Sequence, residues 1–247
     1  MDGQLHIILF IASVNLYFTR YDPSEMNPPG TVLARFDKIV PIWLLTAYVA
    51  TVLETSITQE RENIGSLLFI LLGLLISIID DVNQMIPPMY RYIPAKFFLA
   101  IVYGFYSFAF GAYSGTRFSN ILFFVTWLMG FLSIQVNITS YTTKAFVMCY
   151  SALLGNSAWR AATKFQDEKT IGTFICCVGA MLFIYSDYVL AYNTWVFPIA
   201  NCQFLVTLSY YAAQFGIALG GSLNFTANRE ILFPQYDFWH LIFIYTL

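Results

Sequence analysis

Eight apolar runs, separated by short polar and aromatic segments, organise this chain. They are Leu5 to Phe18, Ile39 to Leu53, Ile64 to Ile79, Phe97 to Tyr113, Phe118 to Val136, Ala145 to Trp159, Ile171 to Tyr192 and Trp195 to Leu219. Runs of this kind approach the roughly 20 apolar residues that cross a bilayer as a helix. They predict an all-α fold, a polytopic membrane helical bundle of about eight transmembrane helices. The shorter runs reach headgroup depth through flanking aromatics, and Tyr17, Trp43, Tyr90, Tyr92, Tyr113 and Trp195 suit an interfacial belt. After Leu219 the chain turns polar (GGSLNFTANRE), then aromatic and apolar from Phe233 to Leu247, too short to cross and read as an interfacial segment. The expected organisation is one transmembrane domain over residues 1–220 and a tail over 221–247. No cationic segment precedes the first run and no A-x-A-like cleavage site follows it, so it is read as a retained helix.

Composition agrees with that class. The 247 residues are 58% hydrophobic, 19% aromatic and only 11% charged, which leaves little polar surface for a water-soluble domain. The net charge of −2 supplies no basic stripe for nucleic acid. Orientation is not legible from charge: with the amino terminus cytosolic, Arg61, Arg117, Arg160, Lys164, Lys169 and Arg229 fall on one side and Arg20, Arg35, Lys38, Arg91, Lys96 and Lys144 on the other. The sequons at Asn137 and Asn224 lie on opposite sides in that arrangement, so at most one carries a glycan. The expected setting is the endoplasmic reticulum or another internal membrane, with membrane lipid as the surrounding partner and homo-oligomerisation left open.

Several chemistries are disfavoured. Cys149, Cys176, Cys177 and Cys202 all lie within apolar runs, where thiols act as small hydrophobes, so no disulfide framework is expected. His6 and His240 stand at opposite ends of the chain, and no Cys or His cluster has metal-ligand spacing, so no metal and no cofactor is expected. Ser114 and Ser157 have neither a G-x-S-x-G elbow nor a nearby histidine, which disfavours serine hydrolysis.

Asp187 is the conspicuous exception to the apolar pattern. It sits inside the run IGTFICCVGAMLFIYSDYVLAY, where an ionisable group costs about 2.5–3.5 kcal/mol on insertion scales and by default marks a site. The plainer alternative is a carboxyl hydrogen-bonded between helices. The segment GLLISIIDDVNQ from Gly73 aligns with GAMLFIYSDYVL from Gly179, which superposes Asp81 on Asp187. This predicts a 4+4 internal duplication, with repeats over residues 1–113 and 118–220 and a pseudo-two-fold along the membrane normal. The two aspartates are then expected to face each other in a shared pocket, where one carboxyl stays protonated as an acid beside an ionised partner.

GAMLFIYSDYVLAYN from Gly179 to Asn193, SYYAAQFGIAL from Ser209 to Leu219 and YSALLGNSAWRA from Tyr150 to Ala161 carry a specific resemblance. In these segments, and in IIDD at Ile78 to Asp81 with AIVYGFYSFAFG from Ala100 to Gly111, the chain resembles the lysoplasmalogenase-like (YhhN) family of eight-helix membrane proteins. The resemblance runs in order through most of the chain. It implies that Asp81 and Asp187 are the catalytic acids of an ether hydrolase. The implied reaction cleaves the vinyl ether bond of a lysophospholipid substrate, the lysoplasmalogen, to a fatty aldehyde and glycerophosphoethanolamine or glycerophosphocholine, with one aspartate as acid and the other as base. The expected substrate-binding groups are Asp80, Tyr103, Arg160, Asn193, Tyr210, Tyr211 and Gln214, with Arg160 toward the phosphate. The tyrosines and Gln214 are equally readable as interhelical hydrogen-bond partners, and Arg160 as a helix-end cation.

Two positions depart from the family pattern. Tyr103 stands where the family carries a histidine, and Asp80 replaces the glycine before the first aspartate. A phenol does not do the work of imidazole near neutral pH. The alternative function is therefore a lysolipid-binding protein without hydrolysis, or a proton-coupled transporter of lipid or small solute built from the same buried carboxyls.

Overall fold

The computed structural model describes residues 2–20, 32–59, 64–85, 96–112 and 116–226. Among these residues the fold is all-helical, with eight helices in the predicted order. They are α1 (Asp2–Arg20), α2 (Val32–Thr58), α3 (Ile64–Met85), α4 (Phe97–Phe110), α5 (Arg117–Gln135), α6 (Tyr141–Glu168), α7 (Ile171–Trp195) and α8 (Cys202–Thr226). Four stretches are long and apolar enough to cross a membrane: Phe36–Thr58, Ile64–Asn83, Ile171–Trp195 and Cys202–Leu223. Phe97–Phe110 and Phe123–Gln135 are apolar but shorter. The interfacial segment expected from Phe233 onward lies outside the described residues, as do Tyr90, Tyr92 and Tyr113 of the expected belt.

Helix ends differ from the hydrophobic runs for local reasons. α6 extends to Glu168, well past Trp159, because its last turns are polar on one face; the left-handed Lys169 (φ 49°) then stops it. Its start is capped by Ser140, whose side chain accepts from the Thr143 N–H. α7 opens immediately with a reciprocal cap, Thr170 and Thr173 each bonding the other's backbone N–H. α8 begins at Cys202 rather than Trp195, since Phe197 precedes a proline and is biased away from helix. Asn193 Oδ1 secures that connection by accepting from Ile199 N at 2.8 Å. α4 stops at Phe110 because Gly111 (φ 78°) turns the chain out of the helix.

Each helix packs on the next through α1–α2–α3–α4 and through α5–α6–α7–α8, except that α5 bridges to α6 and α7 after the α4 turn; α4 also lies on α6, and α2 on α8. α7 and α8 approach closely along glycines: a Cβ on Gly179 would lie 2.9 Å from Ala213 O, and one on Gly216 would lie 3.1 Å from Gly179 Cα. Gly73 of α3 serves the same end against Tyr106 of α4, whose ring would be 2.3 Å from an added Cβ. The core between these helices holds Tyr103, Tyr106, Phe110, Phe183 and Tyr211, all fully buried. Tyr17, expected at the interface, is instead buried against Tyr211, ring centroids 6.0 Å apart, because α1 packs its aromatic face inward on α8. Trp43 is exposed on the outside of α2.

Candidate functional site

Asp187 lies on α7 two turns before its end, and α4 and α6 bring three side chains to it. The hydroxyl of Tyr103 on α4 donates to Oδ2. Tyr150 of α6 donates to the same oxygen at 2.6 Å. Lys96, one residue before α4, places Nζ 3.4 Å from Oδ1. Lys96 adopts a left-handed backbone (φ 70°), which turns its side chain back along the helix it precedes. A carboxyl at 8% exposure is thus matched by one ammonium and two phenol donors, as a buried charge requires.

Asp81 has a separate set of partners. Lys38 of α2 lies 3.0 Å from Oδ1, and Tyr210 of α8 donates to Oδ2 at 3.1 Å. The expectation that the two aspartates share one pocket is therefore corrected: each is neutralised by its own lysine, and all hydrogen bonds of the pair go elsewhere than to each other. Between the two sites the aromatic rings are continuous. Phe183 sits with its centroid 5.4 Å from Tyr103 and 5.9 Å from Tyr210.

A cavity of about 1700 Å³ opens between α5, α6 and α7, and Asp187 is on its wall with Lys96 and Tyr150. Drug-sized pockets run to roughly 300–1,000 Å³, so this volume suits a longer, lipid-like occupant. Most of the wall is apolar or aromatic, including Phe123, Trp127, Leu154 and Ile184. Phe124 and Met129 of α5 line the cavity with much of their surface uncovered by protein. Among the described residues no three His, Cys, Asp or Glu side chains converge as metal ligands.

Of the residues singled out from sequence, Asp187 alone lines this cavity. Tyr103 lies behind it, holding the carboxylate. Asp80 and Asp81 are buried in α3, Asp80 at 1% exposure, pointing into the protein rather than to headgroups. Arg160 donates to the backbone oxygens of Ser107 (3.3 Å) and Gly111 (3.0 Å), capping the last carbonyls of α4. That placement fits neither the phosphate anchor nor a cation ending its own helix: Arg160 lies two turns inside α6 and spends its donors on the end of α4. Gln214 accepts from Tyr106 at 2.5 Å and donates to Ser77 at 2.8 Å, and Tyr211 donates to Lys38 O at 2.8 Å, all interhelical bonds. Asn193 serves the α7–α8 connection. Sequence reading missed Lys96 and Tyr150; Tyr150 could have been found as the residue opening the YSALLGNSAWRA motif, whereas Lys96 carried no local signal.

Comparison with known proteins places this arrangement. No solved structure matches the chain significantly. The chain is 27% identical over 222 residues to a protein named Lysoplasmalogenase TMEM86A from Bos taurus, covering 86% of this chain and 87% of that relative. Residues 33–221, from the start of α2 into α8 and so including both aspartates and the cavity, match the YhhN family, to which this chain belongs.

Proposed function

We propose that the protein is a membrane-embedded hydrolase that cleaves the vinyl ether bond of lysoplasmalogens, releasing a fatty aldehyde and glycerophosphoethanolamine or glycerophosphocholine. The observation that carries this reading is Asp187: on the wall of a large, mostly apolar cavity it is the acid, beside Lys96 as the cation. The bovine relative, a protein named as a lysoplasmalogenase, supports the same substrate class.

The chemistry needs one carboxyl in two protonation states. The Lys96 ammonium passes a proton to Oδ1 of Asp187, and the carboxyl so formed delivers it to the vinyl carbon remote from oxygen, which leaves an oxocarbenium ion at the carbon bonded to oxygen. The carboxylate so formed stabilises that cation while Lys96, Tyr103 and Tyr150 hold its oxygens in place. Water adds to the oxocarbenium carbon and gives its proton to the carboxylate, restoring the acid. The hemiacetal then collapses, the bond from that carbon to the glycerol oxygen breaks, and aldehyde and alcohol leave. Asp81 lies off the cavity and is assigned a positioning role, acting through Tyr210, Phe183 and Tyr103.

The eight-span reading and the 4+4 duplication belong to the same proposal. The packing neighbours support it: α1–α2, α2–α3 and α3–α4 correspond to α5–α6, α6–α7 and α7–α8, and α2–α8 corresponds to α6–α4. The donors cross between halves in the same way, Tyr103 of α4 to Asp187 of α7 and Tyr210 of α8 to Asp81 of α3. An internal membrane such as the endoplasmic reticulum is the proposed location, where lysolipid would reach the cavity from the bilayer.

Hydrolysis in deuterated water tests the protonation step. The mechanism places one deuterium on the carbon next to the aldehyde, read by mass spectrometry of the product. Aldehyde without deuterium there would exclude protonation of the vinyl carbon.

A further inference from the structure

We propose that the cavity holds a single alkenyl chain in one direction, head group toward Lys96 and chain toward Trp159, and that Gly155 and Trp127 gauge its length. This rests on the lysoplasmalogen reading above and deepens it to chain selectivity.

The direction follows from how the helices register. α4 and α7 run antiparallel at the site, since Tyr103 meets Asp187 while Tyr106 lies 6.0 Å, ring to ring, from Phe183. α6 runs parallel to α4: Tyr150 reaches Asp187, Asn156 donates to Ser107, and Arg160 reaches Gly111. α5 runs antiparallel to α6, because Trp127 bonds Ser151 while Asn120 bonds Trp159. Lys96 therefore approaches Asp187 from the end where α6 begins and α7 finishes. The cavity extends the opposite way along α6 from Tyr150 to Trp159. Nine residues of helix make that reach about 13 Å.

The two ends differ in chemistry. At the first, Lys96 supplies the cationic group for a phosphate, with Thr142, Thr143 and Thr194 on the same wall. At the second, the indole N–H of Trp159 is held by Asn120 Oδ1 at 2.8 Å, which closes the cavity with a ring whose polar edge is already satisfied. An alkyl chain suits that end and a phosphate does not.

Between them Gly155 and Trp127 meet on the wall. A Cβ on Gly155 would lie 3.2 Å from Trp127 Cδ1. Trp127 is fixed by its N–H to Ser151 Oγ at 3.1 Å, so the ring does not swing freely aside. The missing side chain at residue 155 is thus what lets the Trp127 ring lie back against α6, and a side chain there pushes the ring into the cavity. A larger residue there shortens the chain-accepting segment, and a smaller one at residue 127 widens it.

The test uses the full-length protein in detergent with a series of 1-O-alkyl lysophosphatidylethanolamines from butyl to lauryl, which spans the reach of the cavity and whose saturated ether is not hydrolysed. Binding is measured for wild type, Gly155→Leu and Trp127→Ala. Each buried methylene adds about fourfold in affinity. Wild type should therefore gain with chain length until the Trp159 end is reached. Gly155→Leu is expected to lower the lauryl-to-butyl affinity ratio about tenfold or more, and Trp127→Ala to raise it. Opposite movements of one ratio are not produced by destabilisation, which would move both variants alike. Unchanged ratios in both variants would overturn the gauge even if wild type releases aldehyde. Shifted ratios in a protein that releases no aldehyde would leave the gauge standing and remove the hydrolase reading.

Discussion

The hydroxyl of Tyr103 donates directly to the carboxylate of Asp187, joining a residue of the first half of the chain to a residue of the second. Tyr103 occupies the position where the family resemblance places a histidine, so the side chain there acts on the second-half aspartate. Its role in this protein is to hold that carboxylate rather than to act as a base. A hydrogen bond to a charged group contributes about 1.5–3 kcal/mol. Tyr103→Phe is therefore expected to lower aldehyde release about 10- to 100-fold, with lysolipid binding little changed. Tyr103→His, which keeps a donor within reach, is expected to retain more activity than the phenylalanine variant. Steady-state kinetics of the two variants decide this, and equal loss in both would remove the assigned role.

Lys38 and Asp81 form a buried ion pair away from the cavity, both side chains largely shielded from solvent. Removing one partner of such a pair leaves a buried charge and costs about 3–5 kcal/mol, whereas replacing both is often neutral. Asp81→Leu alone is expected to lower the thermal midpoint in detergent markedly, and Lys38→Met in the same chain to restore much of it. Additive losses in the double variant would show that the two groups do not depend on each other.

Arg160 donates to two backbone oxygens at the end of α4 and is absent from the cavity wall. Arg160→Met is expected to cost about 1–3 kcal/mol in stability through the orphaned carbonyls, while the ratio of affinities for ethanolamine and choline head groups stays as in wild type. Binding measurements with both lysolipids check it. A changed head-group ratio would return Arg160 to the substrate.

Among the described residues the helices were legible in the sequence because each apolar run is bounded by polar or aromatic residues, and every run became a helix. Their ends were not, since α6, α7 and α8 start or stop at caps and a proline that hydrophobicity does not register. Asp187 was legible for a simple reason: a carboxyl in an apolar run stands out. Lys96 and Tyr150 were not, because they meet Asp187 across 91 and 37 residues of chain and neither is unusual in its own surroundings. Arg160 shows the converse limit. A guanidinium at the end of an apolar helix reads the same whether it meets a phosphate or a neighbouring helix's carbonyls, and only packing of α6 on α4 separates the two.

Gly179 marks a close approach of α7 to α8, and its backbone faces Ala213 and Gly216 directly. Because the obstructing atoms are backbone, Gly179→Val forces the helices apart, with an expected cost of about 1–3 kcal/mol from overpacking. It should also move Asp187, two turns further along α7. Lower thermal midpoint together with lower activity is the expected result; a variant as stable as wild type would contradict the close packing described here.

Release of fatty aldehyde from a lysoplasmalogen by the purified protein, compared with Asp187→Asn, tests the central claim most directly. The substitution preserves shape but cannot pass the proton. Steady aldehyde release by wild type and loss of about two to four orders of magnitude in the variant is the predicted result, general acid–base groups contributing typically 10²–10⁴-fold. Undiminished release by Asp187→Asn, or none from wild type that binds the lipid, would contradict it.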